Sequence, residues 1–305
     1  MLLKIRTKRE KAAWRFEEGT PISPGRFALK PIGGGSLYDV YLVWDEPMHA
    51  ICVAKLIRPD QVDDPEALDD LREEAEILAR LAHPVIVRGF GAVTDGPHPH
   101  LLIEHLEGPS LRRLIRRGGP LPLQQLLPLA LHVAGALHYL EGEGLVHLDV
   151  KPDNLIMSVP PRLIDLSIAR SIERAGGLRR AVGTDAYMSP EQADPEERRG
   201  RIGPPADVWG LGATLFHAAS GSKPFPREKG DRDSEQPEVR FPQLVQDPID
   251  PPPHLPAGLV ELIDSVLERE PAGRPTAAQV AERLEPLIAE LPHKLILSRR
   301  GSRVI

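Results

Sequence analysis

Within Leu145 to Leu155, LVHLDVKPDNL, an aspartate, a lysine and an asparagine stand at positions 149, 151 and 154. Their types suit one job. A carboxylate such as Asp149 can take the proton of an attacking hydroxyl, an ammonium such as Lys151 can neutralise a phosphate in transfer, and the amide oxygen of Asn154 is a hard ligand for a metal ion. Eleven positions after Asn154, the strand-like PRLID ends on Asp165, a second hard oxygen donor suited to Mg²⁺. A plain turn aspartate is the alternative there.

Upstream, Gly33, Gly34 and Gly35 lie between strand-like sequence ending at Ile32 and resuming at Val40. Backbone without side chains can approach phosphate oxygens and offer its amide hydrogens, although a glycine cluster between strands also serves as an ordinary turn. Lys55 sits in the apolar run AICVAKLI, where a buried ammonium needs an anionic partner. Glu74, on the following predicted helix, is placed to supply it. In the competing reading Lys55 reaches to water and Glu74 lies on a solvated helix face.

Taken together, GGGSLYDV, VAK, the helix glutamate, HLDVKPDN, IDLS, GTDAYMSPEQ, ADVWGLG and GRPT follow the order and spacing of protein kinase motifs. Over about residues 26 to 290 the chain resembles bacterial eukaryotic-like serine/threonine kinases. The resemblance implies an α+β, bilobal fold: a small β-rich N-lobe over 26–104 with one main helix, and a larger, mainly helical C-lobe over 107–290. Residues 1–25 are then an N-terminal extension and 291–305 a C-terminal tail.

By that similarity the cofactors are ATP and Mg²⁺, with Mn²⁺ as a substitute ion, and the substrates are protein Ser/Thr hydroxyls. Ile32, Gly33, Gly34, Gly35, Val40, Val53, Lys55, Glu104, Leu106 and Ile156 would surround the nucleotide, with Glu74 holding Lys55. Ile103 resembles the gatekeeper before the hinge residues Glu104 to Leu106. Asp149 would be the catalytic base, Lys151 would stabilise the moving phosphoryl group, and Asn154 and Asp165 would hold the metal. Thr184 resembles the threonine that bonds the catalytic aspartate and lysine. Glu191 and Arg274 match a buried structural pair, and Asp207 matches the aspartate that braces the catalytic loop.

Four departures from the family pattern stand out. Tyr38 replaces the third loop glycine and should stiffen the loop. Val53 adds bulk above the adenine site, and Asp165-Leu166-Ser167 replaces Asp-Phe-Gly. Leu148 replaces the arginine that, in many kinases, receives a phosphorylated activation loop. Ser171 is the only hydroxyl side chain between residues 168 and 183. Activity that is constitutive or set by a regulatory protein partner is therefore expected. An ATP-binding pseudokinase is the alternative, and a small-molecule phosphotransferase a third reading.

The elements that must position these groups are legible in the periodicity. FALKPI, DVYLVW and AICVAKLI read as an antiparallel meander whose domain starts near Arg26. Leu68, Leu71, Ala75, Leu78 and Leu81 mark one amphipathic helix over 65–81. Strands are expected at Val85 to Val93 and Leu101 to Glu104, and helices within 121–141, 205–221 and 257–287. The proline-rich stretch 223–256 reads as a long surface connection.

Composition narrows the class. With 305 residues, 41% hydrophobic and 27% charged, the chain reads as packed and soluble, and a formal charge of −6 gives no overall attraction for nucleic acid. No apolar run approaches the roughly 18 residues of a membrane span. The single cysteine, Cys52, lies in an apolar strand as a small hydrophobe, so a cytoplasmic location is expected. The basic run Lys4 to Lys11 reads as a solvated terminus or a docking arm, and LPHKLILSRRGSRVI at the other end as a frayed tail or docking segment.

Overall fold

The computed structural model describes residues 12–196, 201–228 and 230–292. The basic run before residue 12 and the tail from 293 lie outside the described residues.

The N-lobe contains β1 (Pro21–Ser23), β2 (Arg26–Gly34), β3 (Tyr38–Asp45), β4 (Ala50–Ile57), β5 (Gly89–Val93) and β6 (His100–Glu104). They form one antiparallel sheet in the order β1-β2-β3-β4-β6-β5. Register decides which side chains meet: Val40 pairs with Lys55, and Val53 pairs with both Leu42 and Ile103. Successive side chains alternate across a strand, so Val40, Val53, Lys55 and Ile103 share one face. Tyr41, Val43, Cys52, Ala54, Leu56 and Leu102 share the other, in a core that Trp14 and Phe16 cover.

The lead-in before Arg26 thus contributes two core aromatics and an edge strand. Short elements set among charged residues carry no periodicity from which that role could be read. The expected strand at Val85 to Val93 is real only from Gly89; before it, Ile86 makes a single bridge to Leu163.

The helix α1 (Pro65–Arg80) begins at Asp64, whose side chain accepts from the amide of Glu66, with Pro65 in the first turn. It buries Ala67, Leu71, Glu74, Ile77 and Leu78, so Glu74 sits in the middle of the packed face.

The C-lobe is built on α2 (Leu111–Gly118), α3 (Leu123–Gly142), α4 (Ile172–Ala175), α5 (Pro190–Ala193), α6 (Pro204–Ser220), α7 (Pro237–Arg240), α8 (Ala257–Val266) and α9 (Ala277–Ala289). Two small ladders join β7 (Leu145–Val146) to β10 (Arg170–Ser171) and β8 (Leu155–Ile156) to β9 (Arg162–Leu163). Every residue of α6 from Ala206 to Ala219 is buried, which explains its apolar character all round. Gly210 lets that helix approach the loop between β7 and β8: a Cβ there would stand 3.1 Å from Val150.

Two expectations for this lobe need revision. The run 257–287 is two helices, separated where Pro271 opens a short 3₁₀ turn that leads into the extended Arg274. The stretch 223–256 is not only surface: Phe225, Phe241, Gln243 and Leu244 are buried, with Phe241 and Leu244 packed on Met188 and Ala193 and Gln243 held by the carbonyls of Asp185 and Met188.

Candidate active site

A cleft of about 460 Å³ opens between the lobes. Its walls include Ile32, Val40, Val53, Lys55, Glu74, Ile103, Glu104, Leu106, Asn154, Ile156 and Asp165. Ile32 is half-exposed at its mouth. Gly33, Gly34 and Gly35 do not line the cavity; they follow Ile32 along β2 and into the next turn. The Glu104 side chain is occupied by Arg162 and by the Arg88 amide, so any contribution to a bound molecule falls to its backbone.

Lys55 resolves to the paired alternative. Its Nζ lies 2.9 and 2.7 Å from the two Glu74 oxygens and 2.7 Å from Asp165 Oδ1. Burial by itself would lower the Lys55 pKa, but Glu74 and Asp165 outweigh it and raise it, keeping the ammonium charged. Burial raises Glu74 against the pull of Lys55. For Asp165, burial acts upward, yet Lys55 wins and holds the carboxyl well below the usual range. Glu74 Oε1 also accepts from the Leu166 amide at 3.1 Å, joining α1 to the Asp165-Leu166-Ser167 turn.

Tyr38, at the position of the third loop glycine, is anchored in the N-lobe. It opens β3 rather than lying in the turn, and its ring is buried with Lys55 Nζ 4.5 Å from the centroid. Its hydroxyl is buried and has no hydrogen-bond partner among the described residues.

A second cluster adjoins the cleft through Asn154. Asn154 Nδ2 donates to Asp149 O at 2.9 Å and Oδ2 at 3.1 Å. Lys151 Nζ donates to Asp149 Oδ2 at 2.5 Å and to Thr184 Oγ1 at 2.7 Å, while Thr184 Oγ1 donates to Asp149 Oδ1 at 2.7 Å. This places the candidates Asp149, Lys151, Asn154 and Thr184 in one bonded group.

The frame beneath is equally specific. Asp207 accepts from the amides of His147 and Leu148, both at 2.7 Å. Those bonds support a left-handed Leu148 with φ of 66°, and Asp165 shares that value. Glu191 and Arg274 form the expected buried pair.

Leu148 itself is buried with Val146, Ala175, Ile202 and Ala206, and Ile168, Ile172 and Leu178 pack around them. Arg170 and Arg174 pair with Asp70 and Glu73 of α1. Ser171 caps α4, its hydroxyl accepting from the Arg174 amide at 3.3 Å.

Several contributors escape sequence reading. Gln192 Nε2 donates to Leu148 O at 2.8 Å and Val182 O at 3.0 Å. Gln243 Nε2 donates to Asp185 O at 2.8 Å and Met188 O at 3.1 Å, and Arg227 and Arg240 pair with the Asp185 carboxylate. Tyr187 bonds His217 Nδ1 at 2.7 Å. Only the apolar flanks of Gln243 could have hinted at an inward turn there.

Among the described residues no group of three His, Cys, Asp or Glu side chains could hold a metal alone. Asn154 and Asp165 nevertheless fit Mg²⁺, because that ion uses one or two protein oxygens together with nucleotide phosphates. Asn154 commits its Nδ2 to Asp149, which leaves its oxygen for a ligand role.

These features define the class. Residues 28–284 match the protein kinase domain model, and the chain belongs to that family. It is 31% identical over 253 residues to serine/threonine-protein kinase PknB of Mycobacterium leprae, covering 80% of this chain and 39% of the relative. It is 34% identical over 264 residues to serine/threonine-protein kinase PknK of Mycobacterium tuberculosis, covering 84% and 23%. The chain therefore spans about two fifths or less of the length of these curated relatives. The expected family and the α+β bilobal fold are both borne out. No helix of the described residues is long and apolar enough to cross a membrane.

Proposed function

We propose that this chain transfers the γ-phosphoryl group of ATP to Ser/Thr hydroxyls of protein substrates. The observation that carries the proposal is the closed set of bonds around Asp149, made by Lys151, Asn154 and Thr184. Under this proposal the bonded carboxylate serves the acceptor hydroxyl, beside a cleft whose Lys55–Glu74 pair is formed.

On this reading Lys55 binds the α- and β-phosphates, Val40, Val53, Leu106 and Ile156 enclose the base beneath Ile32, and the glycines 33–35 close over the phosphates. Asn154 and Asp165 would hold Mg²⁺, or Mn²⁺ in its place, and the ion supplies neutralisation of triphosphate charge when bound. Asp149 takes the hydroxyl proton as the acceptor oxygen bonds to the γ-phosphorus. The bond from that phosphorus to the β–γ bridging oxygen breaks, and its electron pair leaves with ADP. Lys151 sits beside the path of the moving phosphoryl group and stabilises its charge.

Activation-loop phosphorylation is not required in this proposal. Leu148 and its apolar neighbours, with Arg170–Asp70 and Arg174–Glu73, dock the segment that a phosphate holds elsewhere in the family. Domain limits of 26–290, with the 12–25 segment as an accessory layer of the N-lobe, fit this arrangement. A regulatory protein partner and a cytoplasmic setting accompany the proposal.

The pseudokinase alternative rests on Tyr38, Val53, Leu148 and Ser167. The assembled ion pairs favour transfer. Radiolabelled γ-phosphate transfer to the chain itself and to a generic basic protein, beside an Asp149→Asn control, decides between them. Label on Ser or Thr that vanishes in the control is expected; ATP binding with no transfer by the wild-type chain would establish the pseudokinase.

A further inference from the structure

The turn after β2 is held from two sides. Arg58 Nη1 donates to Gly35 O at 2.6 Å, the Arg58 amide donates to Leu37 O at 3.0 Å, and Gln61 Nε2 reaches Ser36 O at 3.3 Å. Three successive carbonyls of the turn are thus fastened to the start of the connection between β4 and α1. Arg58 also reaches the residues ahead of the sheet: its Nε donates to Ala12 O at 2.9 Å. Asp39 completes the link, accepting from the Trp14 amide at 2.8 Å with Arg58 Nη1 at 3.7 Å. The Trp14 indole donates to Ile57 O at 2.8 Å, and its ring stacks on Phe16 and meets His98 edge-on.

We infer that residues 12–16, acting through Arg58 and Asp39, form a strap that sets the position of the glycine turn above the cleft. Arg58 is then a positioning residue for the nucleotide, since it does not line the cleft. A glycine-rich turn has much conformational freedom to lose when it closes over a ligand. Bonds made in advance to its carbonyls remove part of that loss and raise affinity without touching the ligand. The affinity part of the inference rests on reading the cleft as a nucleotide site.

The test is Arg58→Ala in the full chain, read first by hydrogen exchange without nucleotide. Exchange at Gly35, whose amide donates to Tyr38 O across the turn, is expected to quicken about tenfold while α1 and α6 are unchanged, since only a local opening is made easier. Exchange equal to wild type in a folded variant overturns the strap, and this readout is independent of whether the chain binds or transfers anything. Binding of a fluorescent ATP analogue should weaken about tenfold, with the KM for protein substrate unchanged and kcat within about twofold. Should Arg58→Ala lose the fold, Arg58→Lys serves: it keeps the charge beside Asp39 but cannot hold Ala12 O and Gly35 O together. Unaltered exchange at the turn in that variant overturns the inference in the same way.

Discussion

Arg274 and Glu191 meet as a bidentate pair, Nη1 2.7 Å from Oε1 and Nη2 2.9 Å from Oε2, with no exposed surface on either side chain. Arg274 also donates to the carbonyls of Pro205, Glu268 and Arg269. The pair therefore ties α5 to the α8–α9 connection. Glu191→Ala would leave a guanidinium in the interior without its anion. Urea denaturation should show a loss of about 3–5 kcal/mol.

The apolar seat of Leu148 predicts two opposite results. Ser171→Ala should leave phosphotransfer within about twofold of wild type, since the lost cap of a four-residue helix costs only about 1 kcal/mol. Leu148→Arg, which restores the residue common in the family, should destabilise the fold by about 3–5 kcal/mol because its charge enters the cluster of Val146, Ala175, Ile202 and Ala206 unpaired. Thermal melts and activity assays on the two variants check both.

Tyr38 separates a ring from its hydroxyl. Tyr38→Phe keeps the face against Lys55 and removes a buried hydroxyl without a partner among the described residues, so stability should hold or rise by about 1 kcal/mol. Tyr38→Gly restores the family glycine but empties a buried site, at a cost of about 3–5 kcal/mol. Chemical denaturation of the pair tests whether the ring is a structural element of the lobe.

His217 gives the fold an acid-sensitive point. Burial, then the charges of Arg112 and Lys223, push its pKa from 6.5 down to about 4. Below 6.5 the unfolded chain gains a proton that the folded chain refuses, so this contribution falls as pH drops from 6.5 toward 4. The loss is on the order of 2–3 kcal/mol across that window. His217→Gln, which can still hydrogen-bond the Tyr187 hydroxyl, should flatten the slope there. Denaturation curves at several pH values, wild type against variant, isolate it from the other titrating groups.

How far the sequence was legible follows the range of the interactions. Asp149, Lys151 and Asn154 lie within one short loop, and Lys55 and Glu74 on neighbouring elements, so chemistry and spacing expose them. The seat of Leu148 draws on residues 146, 168, 172, 175, 178, 202 and 206, and its partners become visible only once the chain has folded. Trp14 and Phe16 were hidden for a related reason: two aromatics among charges have no period, and their worth comes from the sheet face they cover. Gln243 stood inside a proline-rich run, where composition argues for surface and a buried amide is unexpected.

The apolar docking of the activation segment also bears on timing. A segment whose Ile172, Ala175 and Leu178 sit against Val146 and Leu148 is put in place by the same collapse that forms the core. Under the proposal, that segment takes its place as the chain folds, without a phosphate to hold it. Control of such an enzyme in a cell would fall to its regulatory partner and to the number of copies made, in place of a phosphate added to the loop and removed from it.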